Sequence, residues 1–391
     1  MIYLDNAATT WPKPESVYRT MGDFLRTGGG NPGRGGHSLA VAATRAIDDV
    51  RLSIARLINA PDKNRVIFTL NCTDSLNIGI KGLLKPGDHV ITSTLEHNSV
   101  VRPLRKLEKQ GVKVTWLSPR PGEDFVLTTD IEKAITAGTR LVLITHASNV
   151  NGVIQPIEEY GLVARRHNLV FMVDAAQTAG RYPLDVQAQN IDLLACSGHK
   201  GLLGPPGIGI LYIGERVNLD TLREGGTGSQ SELEEQPDEL PFRFESGTAN
   251  SVGIAALGVG LDFIAKEGMD KILMHERMLT SRLLDGLQQD GVKIFGAKLR
   301  INQAPIVSCT IARSRPGEVG AILDQAFDIK VRAGLHCAPA AHKTLGTFPH
   351  GTVRLSPGYF NTEADIDQTI EAIGKIARMG SLEKQITGSV P

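Results

Sequence analysis

Short apolar segments alternate with helical patterns through the middle of this 391-residue chain, and no other feature constrains its fold as strongly. Strand-like runs cover residues 66–69, 89–93, 141–147, 169–175 and 191–197, and helical patterns over 74–83 and 98–110 separate the first three runs. The runs are continuously apolar, which indicates strands that are buried on both faces. This alternation predicts an α/β fold with a mostly parallel sheet flanked by helices, whose ligands bind at the carboxyl ends of the strands.

The pattern changes near residue 251, where two long helical stretches (252–266 and 271–289) begin. Strands at 306–312, 329–333 and 352–356 and helices at 318–327 and 364–378 follow, which predicts a smaller α+β domain. We therefore expect an N-terminal segment (1–15) packed near the small domain, a large domain (16–255) and a small C-terminal domain (256–391). A Gly-, Glu- and Pro-rich segment (225–241) is expected to form a long excursion or a hairpin.

Charge and cysteine usage exclude several classes of protein. Lys plus Arg and Asp plus Glu each number 42, so no basic excess points to nucleic acid, and a balanced charge fits self-association. The apolar runs are too short to span a membrane, and the N-terminus lacks the pattern of a signal peptide. The four cysteines match no zinc-binding spacing, which predicts a cytoplasmic protein without a metal site.

A glycine-rich stretch, residues 28–33, formally matches the GxGxxG pattern of dinucleotide-binding proteins. That pattern needs a strand directly before it, whereas residues 17–26 have a helical pattern. We therefore interpret this stretch as a loop beside an active site, followed by a helix from Ser38.

Two charged side chains follow neighbouring strands of the predicted sheet. Asp174 ends the run FMVD, and Lys200 lies just beyond the run 191–197 in the sequence SGHKG. A lysine at this place can form a Schiff base once its surroundings lower its pKa. A carboxylate on the adjacent strand can pair with a protonated pyridine nitrogen, so together the two residues predict a pyridoxal phosphate site. Taken singly, Lys200 could be a surface lysine and Asp174 a helix N-cap.

Residues after two earlier strands complete this predicted site. Cys72 and Thr73 open a helical stretch, and the N–H groups of a helix N-terminus, with a threonine hydroxyl, bind phosphate well. Thr73 could also serve as the N-cap of that helix. His97 follows the next strand and offers an imidazole that can stack on an aromatic cofactor, although a structural histidine is the alternative.

These motifs, in this order, resemble those of class V aminotransferase-fold pyridoxal phosphate enzymes, and more narrowly those of the cysteine desulfurase and selenocysteine lyase branch. The resemblance runs from Tyr3 to about Arg378 and includes YLDNAATT (3–10), Glu96-His97-Asn98, Ser148-Asn149, VDAAQ (173–177) and SGHK (197–200). It implies a fold type I homodimer in which Lys200 carries the cofactor, Asp174 pairs with the pyridine nitrogen and His97 stacks on the ring. The other implied cofactor contacts are Gln177 and Asn149 near O3′, and Thr73, Ser197, His199 and the other subunit's Thr248 at the phosphate.

The C-terminal part resembles the segments that carry the reaction in this branch. The sequence RAGLHCAP (332–339) is similar to the loop of the desulfurase nucleophile, which it places at Cys337, and an inert buried thiol is the alternative. The sequence TVRLS (352–356) is similar to the segment whose arginine binds the substrate carboxylate, a task that Asn149 would share. Arg354 suits it because a planar guanidinium pairs with a carboxylate through two hydrogen bonds. The other cysteines, Cys72, Cys196 and Cys309, are expected to pack in strands or turns.

The resemblance implies a cysteine desulfurase, which converts L-cysteine to L-alanine and leaves a persulfide on Cys337 for a sulfur-acceptor protein. Leu335 and residues 339–344 depart from the usual His-His-Cys-Ala-Gln-Pro form of the loop, and residues 225–230 also differ from the family's usual segment. The identity of the substrate and the acceptor therefore stays open. Alternatives are a selenocysteine lyase, another pyridoxal phosphate-dependent C–S lyase or aminotransferase, and a weakly active cofactor-binding scaffold.

Overall fold

A computed structural model describes residues 1–33 and 35–387 of the chain. In chain order its strands are β1 (Ile2–Tyr3), β2 (Val66–Thr69), β3 (His89–Ser93), β4 (Lys113–Leu117), β5 (Thr139–Thr145), β6 (Val170–Asp174), β7 (Leu193–Ser197), β8 (Gly209–Ile213), β9 (Val292–Phe295), β10 (Val307–Ile311), β11 (Ile329–Lys330), β12 (Arg332–Gly334) and β13 (Thr352–Leu355). Its α-helices are α1 (Glu15–Thr27), α2 (Ser38–Leu57), α3 (Cys72–Leu83), α4 (Asn98–Glu108), α5 (Thr128–Ala134), α6 (Ile157–Arg166), α7 (Ser251–Glu267), α8 (Met269–Gly286), α9 (Pro316–Phe327), α10 (Pro339–Thr344) and α11 (Glu363–Thr387).

The central sheet has the strand order β2-β8-β7-β6-β5-β3-β4. Strand β8 is antiparallel to its neighbours β2 and β7, and the pairs from β7 to β4 are all parallel. The predicted mostly parallel sheet is therefore confirmed. The carboxyl ends of β2, β3, β5, β6 and β7 all lie along one edge, as expected when parallel strands are joined by helical crossovers.

Burial on both faces explains why the strands read as continuous apolar runs. In β6, Phe171 and Val173 pack into one hydrophobic cluster, whereas Met172 points to the opposite cluster with Leu193 of β7. Successive side chains of a strand alternate between faces, and helices cover each face here, so the first four residues of β6 are all apolar. No helix within residues 1–33 and 35–387 combines the length and apolarity that crossing a bilayer requires.

A second, antiparallel sheet with the order β12-β13-β10-β9 forms the smaller C-terminal part. Its core contains Leu283 of α8, Leu323 of α9 and Ile373 of α11, so the predicted α+β arrangement is confirmed. The N-terminal segment contacts this part, because β1 pairs in parallel with β11 and Asp5 bridges to Ser356. The domain boundaries placed after residues 15 and 255 stay a prediction.

Two glycine-rich segments connect these elements. Residues 28–33 form a loop between α1 and α2, with no strand directly before it, which agrees with its interpretation as a loop. Residues 214–250, all of which the structure describes, form neither helix nor paired strand. The expected excursion is therefore present, but a hairpin is not. Gly228 and Gly247 adopt positive φ angles within it, which interrupts the extended backbone that a hairpin strand needs.

Candidate active site

The edge formed by the carboxyl ends of the parallel strands brings the predicted cofactor residues together. Asp174 is the last residue of β6, Cys72 is the first of α3, and the Cys72 Sγ lies 3.6 Å from Asp174 Oδ1. Lys200 follows β7 and interacts electrostatically with Cys72 and Asp174. It also lies close enough to His97 for its charge to lower the pKa of that imidazole. The juxtaposition follows from the topology, because β5, β6 and β7 are neighbours with their carboxyl ends aligned.

Lys200 has the chemical character that a cofactor-binding lysine needs. Burial lowers the pKa of its amine, and the nearby Cys72 and Asp174 oppose that shift only in part. The Lys200 loop is fixed by the N-terminal segment, since the Thr10 hydroxyl donates to the Lys200 carbonyl at 3.1 Å. A lysine with a lowered pKa supplies more of the neutral amine that acts as nucleophile or base.

Asp174 is almost fully buried and forms no ion pair with the residues that the structure describes, although the charge of Lys200 acts on it from nearby. Burial raises its pKa, while hydrogen bonds from the Ala176 N–H at 2.9 Å and from Cys72 act in the opposite direction. Turns rather than a helix follow β6, so the helix N-cap interpretation of Asp174 is wrong. A buried carboxylate at this place fits a protonated pyridine nitrogen, which would supply the missing positive charge.

Gln177 gives a second indication that the site accommodates a polar ligand. Its Nε2 donates to the Ala7 carbonyl at 3.1 Å, but its buried Oε1 has no hydrogen-bond partner among the described residues. Buried polar atoms are normally paired. The free oxygen and the buried Asp174 carboxylate both fit pyridoxal phosphate, which offers polar groups around an aromatic ring.

His97 is held as a neutral ring above this edge. It caps α4 through its Nδ1, which accepts a hydrogen bond from the Ser99 N–H at 3.1 Å. Burial and the charge of Lys200 lower the pKa of His97 to about 4. Glu96 anchors the preceding turn, since its buried carboxyl group contacts the Ser93 hydroxyl and the Thr145 N–H. The ring is thus both capping and uncharged, which suits stacking on an aromatic cofactor.

The candidate phosphate site lies where α3 approaches β8. Gly209 of β8 pairs with Thr69 on one side and with Ser197 on the other, and a Cβ at Gly209 would lie only 2.3 Å from the Asn71 backbone. Glycine is therefore required for the N-terminus of α3 to approach this closely. Asn71, not Thr73, caps α3 by accepting from the Asp74 N–H, so the N-cap interpretation of Thr73 is wrong. The Thr73 hydroxyl stays exposed at the first turn, where an anion binds well.

His199 and Thr248 have different relations to that site. His199 Nδ1 lies 3.0 Å from the Thr9 hydroxyl, and burial together with Lys200 lowers the pKa of His199 to about 4. Thr248 is exposed and lines a separate cleft of about 250 Å³ beside Gly33, Arg51 and Glu245. Within one subunit, the structure therefore does not bring Thr248 to the predicted cofactor residues.

Arg354 and Asn149 form the candidate substrate side of the site. Arg354 of β13 is fully buried, and it donates through Nη1 to the Asn149 carbonyl at 2.9 Å and through Nη2 to Asp5 Oδ1 at 2.7 Å. Its Nε has no hydrogen-bond partner among the described residues. The Asn149 amide in turn donates to the His336 carbonyl at 2.7 Å, so one residue connects the arginine to the Cys337 loop.

Cys337 differs from the other three cysteines of the chain. It is exposed, whereas Cys72, Cys196 and Cys309 are buried, and burial raises the pKa of Cys196 and Cys309 to about 12. The inert buried thiol interpretation of Cys337 is therefore wrong, and the prediction that the other three pack in the interior is confirmed. The Arg332 guanidinium donates to Cys337 Sγ at 3.1 Å, so a positively charged group lies directly beside the exposed sulfur.

The loop around Cys337 is held in an unusual conformation. His336 and Cys337 have φ angles of 48° and 60°, a left-handed region that costs a non-glycine residue of order 1 kcal/mol. Hydrogen bonds hold it there: His336 Nε2 contacts the Thr352 hydroxyl at 2.9 Å, and the Asn98 N–H donates to the Cys337 carbonyl at 2.8 Å. The sulfur is consequently presented at a fixed position.

Sequence reasoning missed the roles of three residues that shape this site: Asp5, Glu96 and Arg332. All three fall inside motifs that the sequence displays. Arg332 meets Cys337 only five positions later, whereas Glu96 meets Thr145 across 49 positions. Asp5 meets Arg354 across 349 positions, a contact that only the fold creates. The motif YLDNAATT was the available signal, because a charged residue directly after an apolar one in a segment expected to pack against the small domain needs a partner there.

Comparisons with known proteins agree with this fold and site. The model of the class V aminotransferase family matches residues 2–369. A probable cysteine desulfurase of Methanothermobacter thermautotrophicus is 36% identical over 387 residues, which cover 97% of this chain and 95% of the relative. The cysteine desulfurase IscS of Vibrio campbellii is 36% identical over 391 residues, covering 95% of this chain and 91% of the relative.

Solved structures extend the comparison. The apo cysteine desulfurase of Thermococcus onnurineus NA1 superposes with a TM-score of 0.87 at 34% identity, covering 96% of this chain and 94% of that one. The cysteine desulfurase CsdA of Escherichia coli gives a TM-score of 0.85 at 28% identity over the same shares of the two chains. This chain therefore belongs to the class V aminotransferase family, on its cysteine desulfurase branch, and the resemblance drawn from its motifs is confirmed.

Proposed function

We propose that this protein is a pyridoxal phosphate-dependent cysteine desulfurase, which converts L-cysteine to L-alanine and stores the sulfur as a persulfide on Cys337. One observation carries the proposal: Asn149 joins the buried Arg354 to the loop of the exposed Cys337 thiol. A carboxylate anchor and a nucleophile tied to one residue suit a small amino acid whose carboxylate and sulfur lie a few bonds apart.

The chain's residues fit the cofactor that this reaction needs. Asp174 would hold the pyridine nitrogen, His97 would stack on the ring, Lys200 would carry it, and Gln177 would meet its polar edge. The N-terminus of α3, with Thr73, Ser197 and His199, would hold the phosphate. When bound, pyridoxal phosphate withdraws electrons and stabilises negative charge at the substrate's α carbon.

The protein groups then have distinct tasks. Arg354 binds the substrate carboxylate, for which its Nε is available. Lys200, as a neutral amine, accepts the proton at the substrate's α carbon and can return it. The Cys337 thiolate attacks the substrate sulfur: the new S–S bond forms while the carbon–sulfur bond breaks. The electron pair of the broken bond stays with the carbon, protonation there yields alanine, and Cys337 is left as the persulfide.

We also infer a homodimer, since Thr248 is exposed on a cleft whose lining includes none of the other predicted cofactor residues, and it could complete a partner's phosphate site. A two-fold dimer with self-complementary contacts meets this requirement. The proposed partners are L-cysteine and a sulfur-acceptor protein, not nucleic acid or membrane, and the proposed location is the cytoplasm. The balanced charge and scattered cysteines support these assignments.

The decisive experiment supplies L-cysteine to the cofactor-loaded protein and measures alanine and protein-bound persulfide. Cys337→Ala should reduce both by about 10³-fold or more, because a lost nucleophile removes several kcal/mol of barrier lowering. Cys309→Ala, which deletes a buried thiol in β10, is the matched control and should keep parent-like turnover per folded protein. Alanine formation at the parent rate by Cys337→Ala would overturn the proposal. Turnover of selenocysteine but not cysteine by the parent would favour the lyase alternative.

A further inference from the structure

A positively charged groove lies beside Cys337, between α3 and α4. Its volume is about 380 Å³, Cys337 stands at its rim, and its lining includes Lys81, Arg102 and Lys106 but no carboxylate. We call this the cationic groove, defined by Lys81, Arg102 and Lys106.

Helical spacing makes the groove a continuous channel. Thr73, Asn77 and Lys81 recur every four residues along α3, and Arg102 and Lys106 do so along α4. Side chains four residues apart share one face of a helix. Both helices begin at the cofactor edge, so the groove extends from Cys337 toward the basic residues for about 12 Å, the rise of eight helical residues.

The positive charges of the groove are not neutralised within the subunit. Lys81, Arg102 and Lys106 form no ion pair with any residue that the structure describes. On the same helix, Arg105 lies outside the groove, donates to Glu108 at 2.8 Å and stacks over Trp116. Helix α4 thus has an ion-paired cation, Arg105, on one face and two cations unpaired within the described chain, Arg102 and Lys106, on the face of the groove. Like charges four residues apart destabilise a helix slightly, and a bound anion would relieve that repulsion.

The fixed Cys337 loop determines which molecule must move. The Asn98 N–H, at the start of α4, holds the Cys337 carbonyl, and two consecutive left-handed residues orient the sulfur. A sulfur carried on such a loop cannot travel far to a distant recipient. The recipient thiol has to enter at the rim of the cationic groove.

We infer that the cationic groove docks an acidic segment of the thiol-bearing protein that takes sulfur from Cys337, an inference that rests on the proposed function. Complementary charge would speed encounter and orient the acceptor thiol. In the transfer, the acceptor thiolate attacks the outer sulfur of the persulfide. A new S–S bond forms, the bond to Cys337 Sγ breaks, and Cys337 leaves as the thiolate, so no external oxidant is required.

The test uses full-length protein whose Cys337 is loaded with inorganic polysulfide, which makes loading independent of desulfurase activity. The probes are a hexapeptide with one cysteine and four glutamates and its counterpart with four lysines, and mass spectrometry follows formation of the peptide persulfide. The acidic peptide should react about 10-fold faster at low salt, and the preference should fade near 0.5 M salt, where roughly 4 Å screening lengths apply.

Charge reversals locate the effect on the surface. Lys81→Glu and Lys106→Glu should each reduce the preference for the acidic peptide several-fold. Lys109→Glu makes the same charge change one residue beyond α4, outside the groove, and should leave the preference intact. Equal rates for the two peptides, or equal effects of all three variants, would overturn the inference.

Sedimentation of the same variants distinguishes a different occupant. Loss of the dimer in Lys106→Glu but not in Lys109→Glu would assign the groove to a second copy of this chain and overturn the inference. Failure of the proposed function gives another pattern: the parent forms no persulfide from L-cysteine, yet the polysulfide-loaded protein still prefers the acidic peptide.

Discussion

Asp5 Oδ1 accepts a hydrogen bond from Arg354 Nη2 at 2.7 Å, and this pair joins the N-terminal segment to the candidate substrate arginine. The Arg354 side chain is 1% exposed and that of Asp5 is 21% exposed. A buried guanidinium needs a counter-charge, and Asp5 supplies it without occupying Nε. The arginine is thereby oriented while its Nε stays available for a substrate carboxylate.

Replacing Asp5 by Asn should therefore affect substrate binding more than turnover. We expect the KM for L-cysteine to rise about 10-fold while kcat changes less than about 3-fold, because Arg354 loses its orientation before the chemistry begins. The free energy of unfolding should fall by about 1–3 kcal/mol, since a buried cation loses its partner. Steady-state kinetics and urea unfolding measure the two effects.

Asp328→Asn provides the matched control. Asp328 forms exposed ion pairs with the N-terminal amine and with Lys330 beside the β1–β11 pair, and its left-handed φ of 54° suits asparagine. Its loss should leave both the free energy of unfolding and the KM close to the parent's, because an exposed ion pair contributes little to stability. A normal KM in Asp5→Asn would show that Asp5 only stabilises the fold.

A second prediction distinguishes two lysines that lie near each other. Lys200 should carry the cofactor, so the protein supplied with pyridoxal phosphate should absorb near ~420 nm and Lys200→Ala should not. Lys13 is the control: its amine donates to the His199 carbonyl at 3.1 Å, and burial lowers its pKa to about 8. Lys13→Ala should keep the band. Absorption spectra decide the matter, and a band that survives in Lys200→Ala would refute the assignment.

A third prediction concerns Thr248. If Thr248 completes a partner's site, Thr248→Ala should weaken cofactor retention by about 1–2 kcal/mol, the scale of a hydrogen bond to a charged group. Co-expression with Lys200→Ala gives a hybrid dimer in which one site combines an intact lysine with an intact threonine. At limiting cofactor, the mixture should recover roughly a quarter of the parent activity. Activity no higher than that of the separate variants would argue against a shared site.

The fourth prediction concerns acid stability. Burial lowers the pKa of His146 from 6.5 to about 4. Between these two pH values His146 is protonated in the unfolded chain but neutral in the folded protein. The stabilisation from the neutral ring is complete above pH 6.5 and is lost as the pH falls toward 4. When the pH is lowered from 7.5 to 5.5, the free energy of unfolding should therefore fall by about 1 kcal/mol less in His146→Gln than in the parent.

Urea unfolding at the two pH values measures that difference. Identical pH dependence in the parent and His146→Gln would contradict the predicted role of burial.

Five strands of the large sheet could be predicted from sequence because burial on both faces leaves continuous apolar runs, but β8 was missed although all of its residues are buried. Strands β2 and β3 have the predicted ends, and the other predicted strands of the large sheet differ by at most two residues. Strand β4 was missed, because it lies at the sheet edge and its partly exposed residues KVTWL form no continuous apolar run. Strand β9 was missed for the same reason, as an edge strand of the small sheet.

The residues of the candidate site could likewise be predicted only in part. Residues that follow parallel strands, such as Asp174 and Lys200, could be placed near each other because topology aligns the ends of those strands. The contacts that orient Arg354 and the Cys337 loop could not be predicted from sequence. The contact of Asn149 with the Cys337 loop spans 187 positions, and that of Asp5 with Arg354 spans 349. No local pattern encodes contacts at such separations, since they depend on how the two sheets meet.

The parallel pairing of β1 with β11 has a consequence for how the molecule is built. Asn6 and Ser356 share a hydrogen bond although 350 positions separate them. A ribosome that has translated residues 2–6 must add β11 and β13 before those residues find their partners, while the central sheet can already form behind it. Closure of the substrate side is therefore the last event of biogenesis. An interrupted translation product that stops before β13 lacks Arg354 altogether, and with it the candidate substrate side of the site.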